Sequence, residues 1–218
     1  AESIVGLCLT RLPQYLQVTD SMRFIQVLSP TRKGVCGVDA MNKSLQAAFN
    51  PPSPRKEEVQ FGELVLREGD KVMHIKNNYQ LEWETADGAG GQGVFNGDIG
   101  FITRIEGEDK MVHVLYDDEK TVVYQYGDLE ELDLAYCLSV HKSQGSEFPA
   151  VVMPMVGGPR MLLTRNLLYT GVTRARQLVV LVGRQEVLLM MVNNNLERRR
   201  YSLLGHWLSL MSRRLQPQ

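Results

Sequence analysis

Two polar, basic, glycine-bearing runs interrupt apolar segments in the last third of this 218-residue chain: Ser139-Val-His-Lys-Ser-Gln-Gly-Ser-Glu147-Phe and Tyr169-Thr-Gly-Val-Thr-Arg-Ala-Arg176. Loops wedged between the strands of an α/β core are where such folds hold ligands. Gly145 has no side chain to obstruct approach, so its backbone N–H can come close to a phosphate. Glu147 can accept hydrogen bonds from ribose hydroxyls. Arg174 and Arg176 lie close together beside an apolar strand. A guanidinium there can reach a terminal phosphate and stabilise its developing charge, a role worth about 10³ to 10⁵ in rate in phosphoryl-transfer enzymes. Arg32 and Lys33 follow the first apolar strand, at the edge where open α/β sheets bind ligands. A single arginine is usually a solvated or ion-paired surface residue; several beside strand ends in one sheet favour an anion.

The usual announcement of a nucleotide site, G-x-x-x-x-G-K-[ST], is absent from the sequence. Met111-Val-His-Val-Leu-Tyr-Asp-Asp-Glu119 imitates an apolar strand ending in Mg²⁺-binding acids. Without a phosphate loop upstream, and with an alternating strand just after, it reads as a hairpin turn. No metal ligands are assigned, and the phosphate-seeking groups can only complete a site whose floor lies elsewhere.

The elements that must position these groups come in three stretches. Ile4 to Leu12 has helical spacing that Pro13 ends or bends. Phe24 to Ser29 is a buried strand, followed by the turn Pro30–Gly34 and an amphipathic helix over Val38–Phe49 with Asp39 near its start. Asn50-Pro-Pro-Ser-Pro54 reads as a domain boundary. From about Gly62 the period changes to two: Lys71–Lys76, Gly100–Ile105, Met111–Tyr116 and Thr121–Tyr126 are short strands, and Thr85–Gly93 a flexible loop tip. Close spacing of that kind suggests a small barrel. The α/β pattern then returns with strands over Leu134–Val140, Ala150–Met155 and Leu178–Val182, and helices over Leu163–Ala175, Gln185–Val192 and Tyr201–Met211. The simplest architecture is α/β: one domain built from residues 1–61 and 134–218, interrupted by an inserted β-barrel at 62–133.

Charge divides the same way. Residues 62–133 hold 6 Lys and Arg against 17 Asp and Glu, a net of −11, and the remainder holds 18 against 8, a net of +10. The basic part fits polyanion binding, because its positive residues cluster within the loops; the acidic part is as well explained by solubility as by a partner. Nothing is apolar enough to span a membrane. Cys8, Cys36 and Cys137 fit no zinc spacing and read as reduced thiols, consistent with a cytoplasmic protein. The absence of both an initiating Met and a secretory signal suggests a piece of a longer cytoplasmic chain.

Several blocks, in order, resemble the RecD-like branch of the superfamily 1 helicases. Leu28-Ser-Pro-Thr-Arg-Lys-Gly34 resembles motif IV, His141-Lys-Ser-Gln-Gly-Ser-Glu147-Phe motif V, and Leu168-Tyr-Thr-Gly-Val-Thr-Arg-Ala-Arg176 motif VI. Gly37-Val-Asp-Ala-Met-Asn42, Gly69-Asp-Lys-Val-Met73, Lys76-Asn-Asn-Tyr79 and Val94-Phe-Asn-Gly-Asp-Ile-Gly100 match finer features of that branch. The resemblance implies a second RecA-like domain, of the P-loop NTPase type, carrying an SH3-like barrel. It implies that Gln144, Gly145, Glu147 and Arg176 face ATP held mainly by a first RecA-like domain. Arg174 would be the catalytic arginine finger and Arg32 a second phosphate-facing arginine. Mg²⁺ would accompany ATP, with its ligands outside this chain. Ser139, His141 and Lys142 would touch single-stranded DNA, and Asn77, Asn78, Tyr79 and Asn96 would line its path.

Elementary chemistry supports part of that assignment. His, Lys, Ser and Asn donate to phosphate oxygens without reading sequence. Tyr79 can stack a base. Asn77-Asn78 also fits a turn, where Asn tolerates positive φ, and a turn is compatible with DNA contact; His74 and His113 read as ordinary strand residues. The barrel's negative charge argues against a broad DNA clamp. The expected function is thus the C-terminal motor half of an ATP-dependent DNA helicase, 5′→3′ by resemblance only, inactive as an ATPase by itself. The rivals are a non-enzymatic nucleic-acid binding module and a docking or regulatory subunit of a helicase–nuclease complex. Arg198–Arg200 and Arg213–Arg214 are either a basic patch or a solvated face.

Overall fold

The structure, a computed structural model, describes residues 1–195 together with Leu203, Gly205, Trp207, Leu208 and Met211. The Arg198–Arg200 and Arg213–Arg214 clusters, and most of the helix expected over 201–211, lie outside the described residues.

The chain opens with α1 (Glu2–Gly6), a π-helical turn over Leu7–Arg11, and α2 (Leu12–Leu16), which follow one another without a break. Pro13 therefore does not end the helix. Leu12 N–H bonds back five residues to Leu7 O, and that widened turn leaves Pro13 in the first turn of the next segment. A missing N–H costs little there. Ile4, Cys8 and Leu12, four apart, are the buried stripe. After α3 (Ser21–Phe24), capped by Asp20, comes β1 (Ile25–Ser29), buried at every position. Then α4 (Val38–Phe49) buries Met41, Asn42, Leu45 and Gln46.

Hairpin β2 (Glu58–Phe61) and β3 (Leu64–Arg67) precedes a seven-stranded antiparallel sheet. Its strands are β4 (Lys71–His74), β5 (Asn78–Thr85), β6 (Gly90–Val94), β7 (Ile99–Glu106), β8 (Met111–Tyr116), β9 (Lys120–Gln125) and β10 (Leu132–Leu134), in the order β10-β4-β7-β8-β9-β5-β6. The flexible tip expected over Thr85–Gly93 is mostly strand: β6 pairs with β5, Trp83 opposite Gly91. Any Cβ at Gly91 would lie 2.4 Å from the Trp83 ring, so glycine serves close approach here, not mobility.

The chain then returns through β11 (Cys137–Ser139), β12 (Phe148–Met155), α5 (Arg165–Val172), β13 (Ala175–Gly183) and α6 (Gln185–Asn193). These strands and β1 form a four-stranded, all-parallel sheet in the order β11-β1-β12-β13. Alternation along β12 sends Ala150 and Val152 to a core shared with Cys8, Met41 and Leu45, and Val151 and Met153 to one shared with Leu167, Leu168 and Met191. Helices thus cover both faces, as a parallel sheet requires.

The single strand expected over Leu134–Val140 is two, one in each sheet. Asn42 Nδ2 donates to Leu134 O and Cys137 O, and its Oδ1 accepts from Cys137 N; Gln26 Nε2 donates to Ala135 O and Tyr136 O. Those buried amides satisfy the backbone where it leaves one ladder for the next. The same junction holds Asp70, whose carboxylate accepts from Gln46, Asn50, Tyr136 and the backbone N–H of Arg67. Asn50, first residue of the Pro-rich segment, is accordingly buried. Cys8, Cys36 and Cys137 are buried and free, and burial pushes the Cys8 thiol up to about 12.

Candidate nucleotide and nucleic-acid interface

At the N-terminal edge of the parallel sheet, the residues entering β12 meet those entering β13. Phe148 N–H donates to Arg174 O at 2.8 Å. The Arg174 side chain folds back: Nη1 donates to Ser146 O at 3.1 Å, Nε to Thr170 O at 3.2 Å and Nη2 to Thr173 Oγ1 at 3.4 Å. Five guanidinium N–H groups against these three bonds leave one donor on each Nη among the described residues. Arg176 Nε pairs with Glu147 Oε2 at 2.9 Å, both side chains more than half exposed. Gly145 turns the chain at φ 93° with no described residue where a Cβ would stand, so only glycine enters that turn unstrained and its backbone stays approachable. Arg174, Arg176, Gly145 and Glu147 thus form one neighbourhood.

The C-terminal edge carries a different set. Ser29 and Ser139 are opposite in the β1–β11 ladder. Ser139 Oγ accepts from Lys142 N–H at 3.3 Å, and Lys142 Nζ lies 3.6 Å from Asp133. Arg32, in the loop after β1, pairs with Asp39 at 3.2 Å and stays 70% exposed. With Ser139 and Lys142 it lines a cavity of about 130 Å³. Arg32 and Arg174 therefore sit at opposite edges of one sheet, although both follow the sequence logic of strand-end arginines. Residues 140–147 connect the two edges, anchored by buried Ser143, whose hydroxyl donates to Val140 O at 2.8 Å. His141 and Gln144, on this connection, share a groove of about 550 Å³ with Met161, Asn166 and Thr170 of the neighbouring loop and α5.

A third group gathers at one corner of the antiparallel sheet. Tyr79, 68% exposed, packs edge-to-face on Phe95 with centroids 5.6 Å apart. Asn77 Oδ1 accepts from Asn96 N–H at 2.9 Å, bringing those two asparagines together. Asn78 spends its side chain internally: Oδ1 accepts from Gln80 and Leu81 N–H, and Nδ2 donates to Glu131. Neither Asn77 nor Asn78 takes positive φ; both act as side-chain braces. Sequence reasoning missed Phe95, although Val94-Phe-Asn-Gly-Asp offered an aromatic beside Asn96. It also missed Glu131, which no local pattern marks. Asp117 and Asp118 form the β8–β9 turn, both at positive φ, and Asp118 pairs with Arg23.

Among the described residues, no group of three or more His, Cys, Asp or Glu side chains could hold a metal ion, and no helix is long and apolar enough to cross a membrane.

A parallel sheet carrying this loop pair, with an antiparallel unit beside it, sets the class as a two-part α/β protein. Two family matches refine the class: residues 41–116 match the ATP-dependent RecD-like DNA helicase SH3 domain, and residues 134–182 the UvrD-like helicase C-terminal domain. The chain belongs to the RecD-like helicases. It is 38% identical over 152 residues to the ATP-dependent RecD2 DNA helicase of Deinococcus radiodurans, covering 70% of this chain and 19% of that protein. It is 28% identical over 158 residues to the RecBCD enzyme subunit RecD of Mycolicibacterium smegmatis, covering 72% of this chain and 25% of that one. The chain thus spans about a fifth to a quarter of the length of these relatives. The fold is also that of a Pif1 helicase solved in a study of unwinding at forked double-stranded DNA, with TM-score 0.50 at 18% identity, over 97% of this chain and 52% of that one. A Bacteroides Pif1 helicase in complex with ADP-AlF3 and single-stranded DNA gives TM-score 0.50 at 17% identity, over 97% and 51%.

Proposed function

We propose that this chain is the C-terminal motor half of an ATP-dependent DNA helicase working 5′→3′. Residues 1–61 and 134–218 are its second RecA-like domain and 62–133 an SH3-like insertion. The observation that carries the reading is the convergence of Gly145, Glu147, Arg174 and Arg176 on one sheet edge. Ser139, His141 and Lys142 belong to the opposite end of the same connection. ATP, with Mg²⁺ held by residues outside this chain, supplies the phosphoryl group that is transferred. The N-terminal edge fits it: an open glycine turn, a carboxylate for ribose, and two spare N–H groups on a half-buried arginine.

Arg174 is the arginine finger of this reading. Its bonds to Ser146 O and Thr170 O fix the guanidinium before a phosphate arrives, so little reorganisation is left for the reaction. Arg176 and Gln144 flank the same region. A charge pulling on Arg174 acts on Ser146, and through the 140–147 connection on the loop that grips the strand. Arg32, at the far edge beside Ser139 and Lys142, serves the nucleic-acid side in this arrangement rather than a terminal phosphate. Relatives named as RecBCD enzyme subunits support a second reading, a motor half docked in a helicase–nuclease complex.

The test is enzymatic. The isolated chain is expected to bind a single-stranded oligonucleotide yet hydrolyse no ATP above background, whereas the full-length protein hydrolyses ATP when that strand is added. Turnover by the isolated chain would place a complete phosphate site within it and overturn the division of labour.

A further inference from the structure

A buried polar chain runs through the antiparallel sheet and ends at the exposed corner. Tyr116 Oη and Tyr124 Oη are 2.8 Å apart, and Tyr124 Oη lies 3.0 Å from His74 Nδ1. His74 is fully buried, and among the described residues its Nε2 has no hydrogen-bond partner; the Glu131 carboxylate lies 3.8 Å away. Glu131 in turn accepts from Asn78 Nδ2 at 3.1 Å. At 3.8 Å Glu131 makes no hydrogen bond to the ring, but its negative charge favours the proton on Nε2, which leaves Nδ1 to accept from Tyr124. Tyr124, donating to Nδ1, is left to accept from Tyr116, and the chain of hydrogen bonds ends at the His74 ring, which meets Glu131 through charge alone. The His74 backbone joins in: its carbonyl accepts from Gly97 N–H at 2.9 Å and its N–H donates to Asp98 O at 2.9 Å. Asp98 Oδ2 accepts from Phe95 N–H at 2.8 Å. The backbone of His74 therefore braces 95–98 directly, and its ring faces the Glu131 carboxylate that holds Asn78 beside Tyr79.

We propose that His74, acting through Glu131 and Asn78, is the positioning residue that sets Tyr79 and Phe95 as a stacking notch for an unpaired nucleobase. The notch takes one base by its π-face, whatever its identity, and the surrounding carboxylates keep the sugar–phosphate backbone at the rim. Charged groups facing His74 are Glu131 and Asp98, which favour its protonation, and Lys76, which opposes it; burial outweighs them and lowers its pKa. The ring accordingly works as a neutral brace. This inference rests on the proposed strand binding.

The experiment is a double-mutant cycle on the 218-residue chain, read by the anisotropy of a fluorescein-labelled dT oligonucleotide of about 12 nucleotides. His74→Phe keeps an aromatic ring and removes both the bond from Tyr124 and the charge contact with Glu131; it is expected to weaken binding about fivefold, as Tyr79→Ala does. In the Tyr79→Ala background His74→Phe is expected to cost nothing further, since the two act through one notch. Additive losses, or no loss from His74→Phe alone, overturn the positioning role while leaving strand binding in place. Absence of binding by the unmodified chain overturns the strand-binding reading and the notch together. Should His74→Phe fail to fold, as judged by circular dichroism, Tyr124→Phe, which removes one hydroxyl, replaces it in the cycle. A loss that vanishes in the Tyr79→Ala background then supports the positioning role, and an additive loss or none overturns it.

Discussion

The guanidinium of Arg174 donates to the carbonyl of Ser146, twenty-eight residues earlier in the chain, at 3.1 Å. That bond joins the start of β13 to the turn before β12. It fixes where the arginine's remaining donors lie and ties them to a segment whose other end is Ser139. A side chain that could have hung in solvent is instead pre-set, and the first expectation follows from it.

In the full-length protein, Arg174→Ala should reduce ATP turnover by about 10³ or more while single-strand affinity stays within about twofold. Arg174→Lys should not rescue it, because a point charge cannot hold Ser146 O and Thr170 O together and still offer donors outward. Steady-state hydrolysis and oligonucleotide titration on the same preparations check both. Equal loss of the two activities would assign Arg174 a folding role.

Arg176 and Glu147 pair at 2.9 Å with 64% and 52% of their side chains exposed. A pair so solvated contributes about 0–1 kcal/mol. Glu147→Gln should therefore leave the melting temperature within about 2 °C, and nucleotide affinity of the full-length protein should fall. A large drop in melting temperature would make the pair structural.

Lys71 is buried, its ammonium donating to Met22 O at 2.7 Å and Gln26 Oε1 at 2.9 Å, and burial lowers its pKa from 10.5 to about 8. A lysine depressed on folding binds its proton more readily in the unfolded chain. Between about pH 8 and 10.5 the unfolded state thus holds more protons, so this group's contribution to stability rises with pH across that window; below about 8 its burial penalty is fully present. Cys8 and Cys137, held above 9.0 by burial, pull the other way from about pH 9. The readout is the difference between parent and Lys71→Met in melting temperature from pH 7.5 to 9.5. The parent is expected to gain on the variant as pH rises, and a constant difference would rule this out.

Gly37 ends the loop that carries Arg32. A Cβ there would lie 2.5 Å from Arg32 O and 2.6 Å from the Lys33 carbonyl, both backbone atoms that cannot yield cheaply. Gly37→Ala should destabilise by about 2 kcal/mol or more and weaken strand binding by displacing the Arg32 loop. Urea unfolding measures the first and the oligonucleotide titration the second.

The periodic elements were legible in the sequence. Val38–Phe49 reads as a helix and is one, because its apolar spacing and the β-strand before it leave no competing arrangement. Met111–Tyr116 and the turn at Asp117-Asp118 read as a hairpin for the same local reason. Failures came where a distant side chain overrode the local pattern. Leu134–Val140 looks like one strand until Asn42 and Gln26 capture its backbone. Gly90–Val94 looks mobile until Trp83 fills the space its glycines leave.

For the site, residue type and order along the chain named Gly145, Glu147, Arg174 and Arg176 together, because each loop's chemistry is contained in its own few residues. Whether two loops share a sheet edge depends on strand order and direction, which no local run encodes. The parallel ladder β11-β1-β12-β13 alone sends Arg174 to one end and Arg32 to the other. Likewise His74 and Glu131 meet only because β10 pairs back onto β4, with Leu132 opposite His74. Local chemistry decided which residues could act; sheet topology decided which of them can act together.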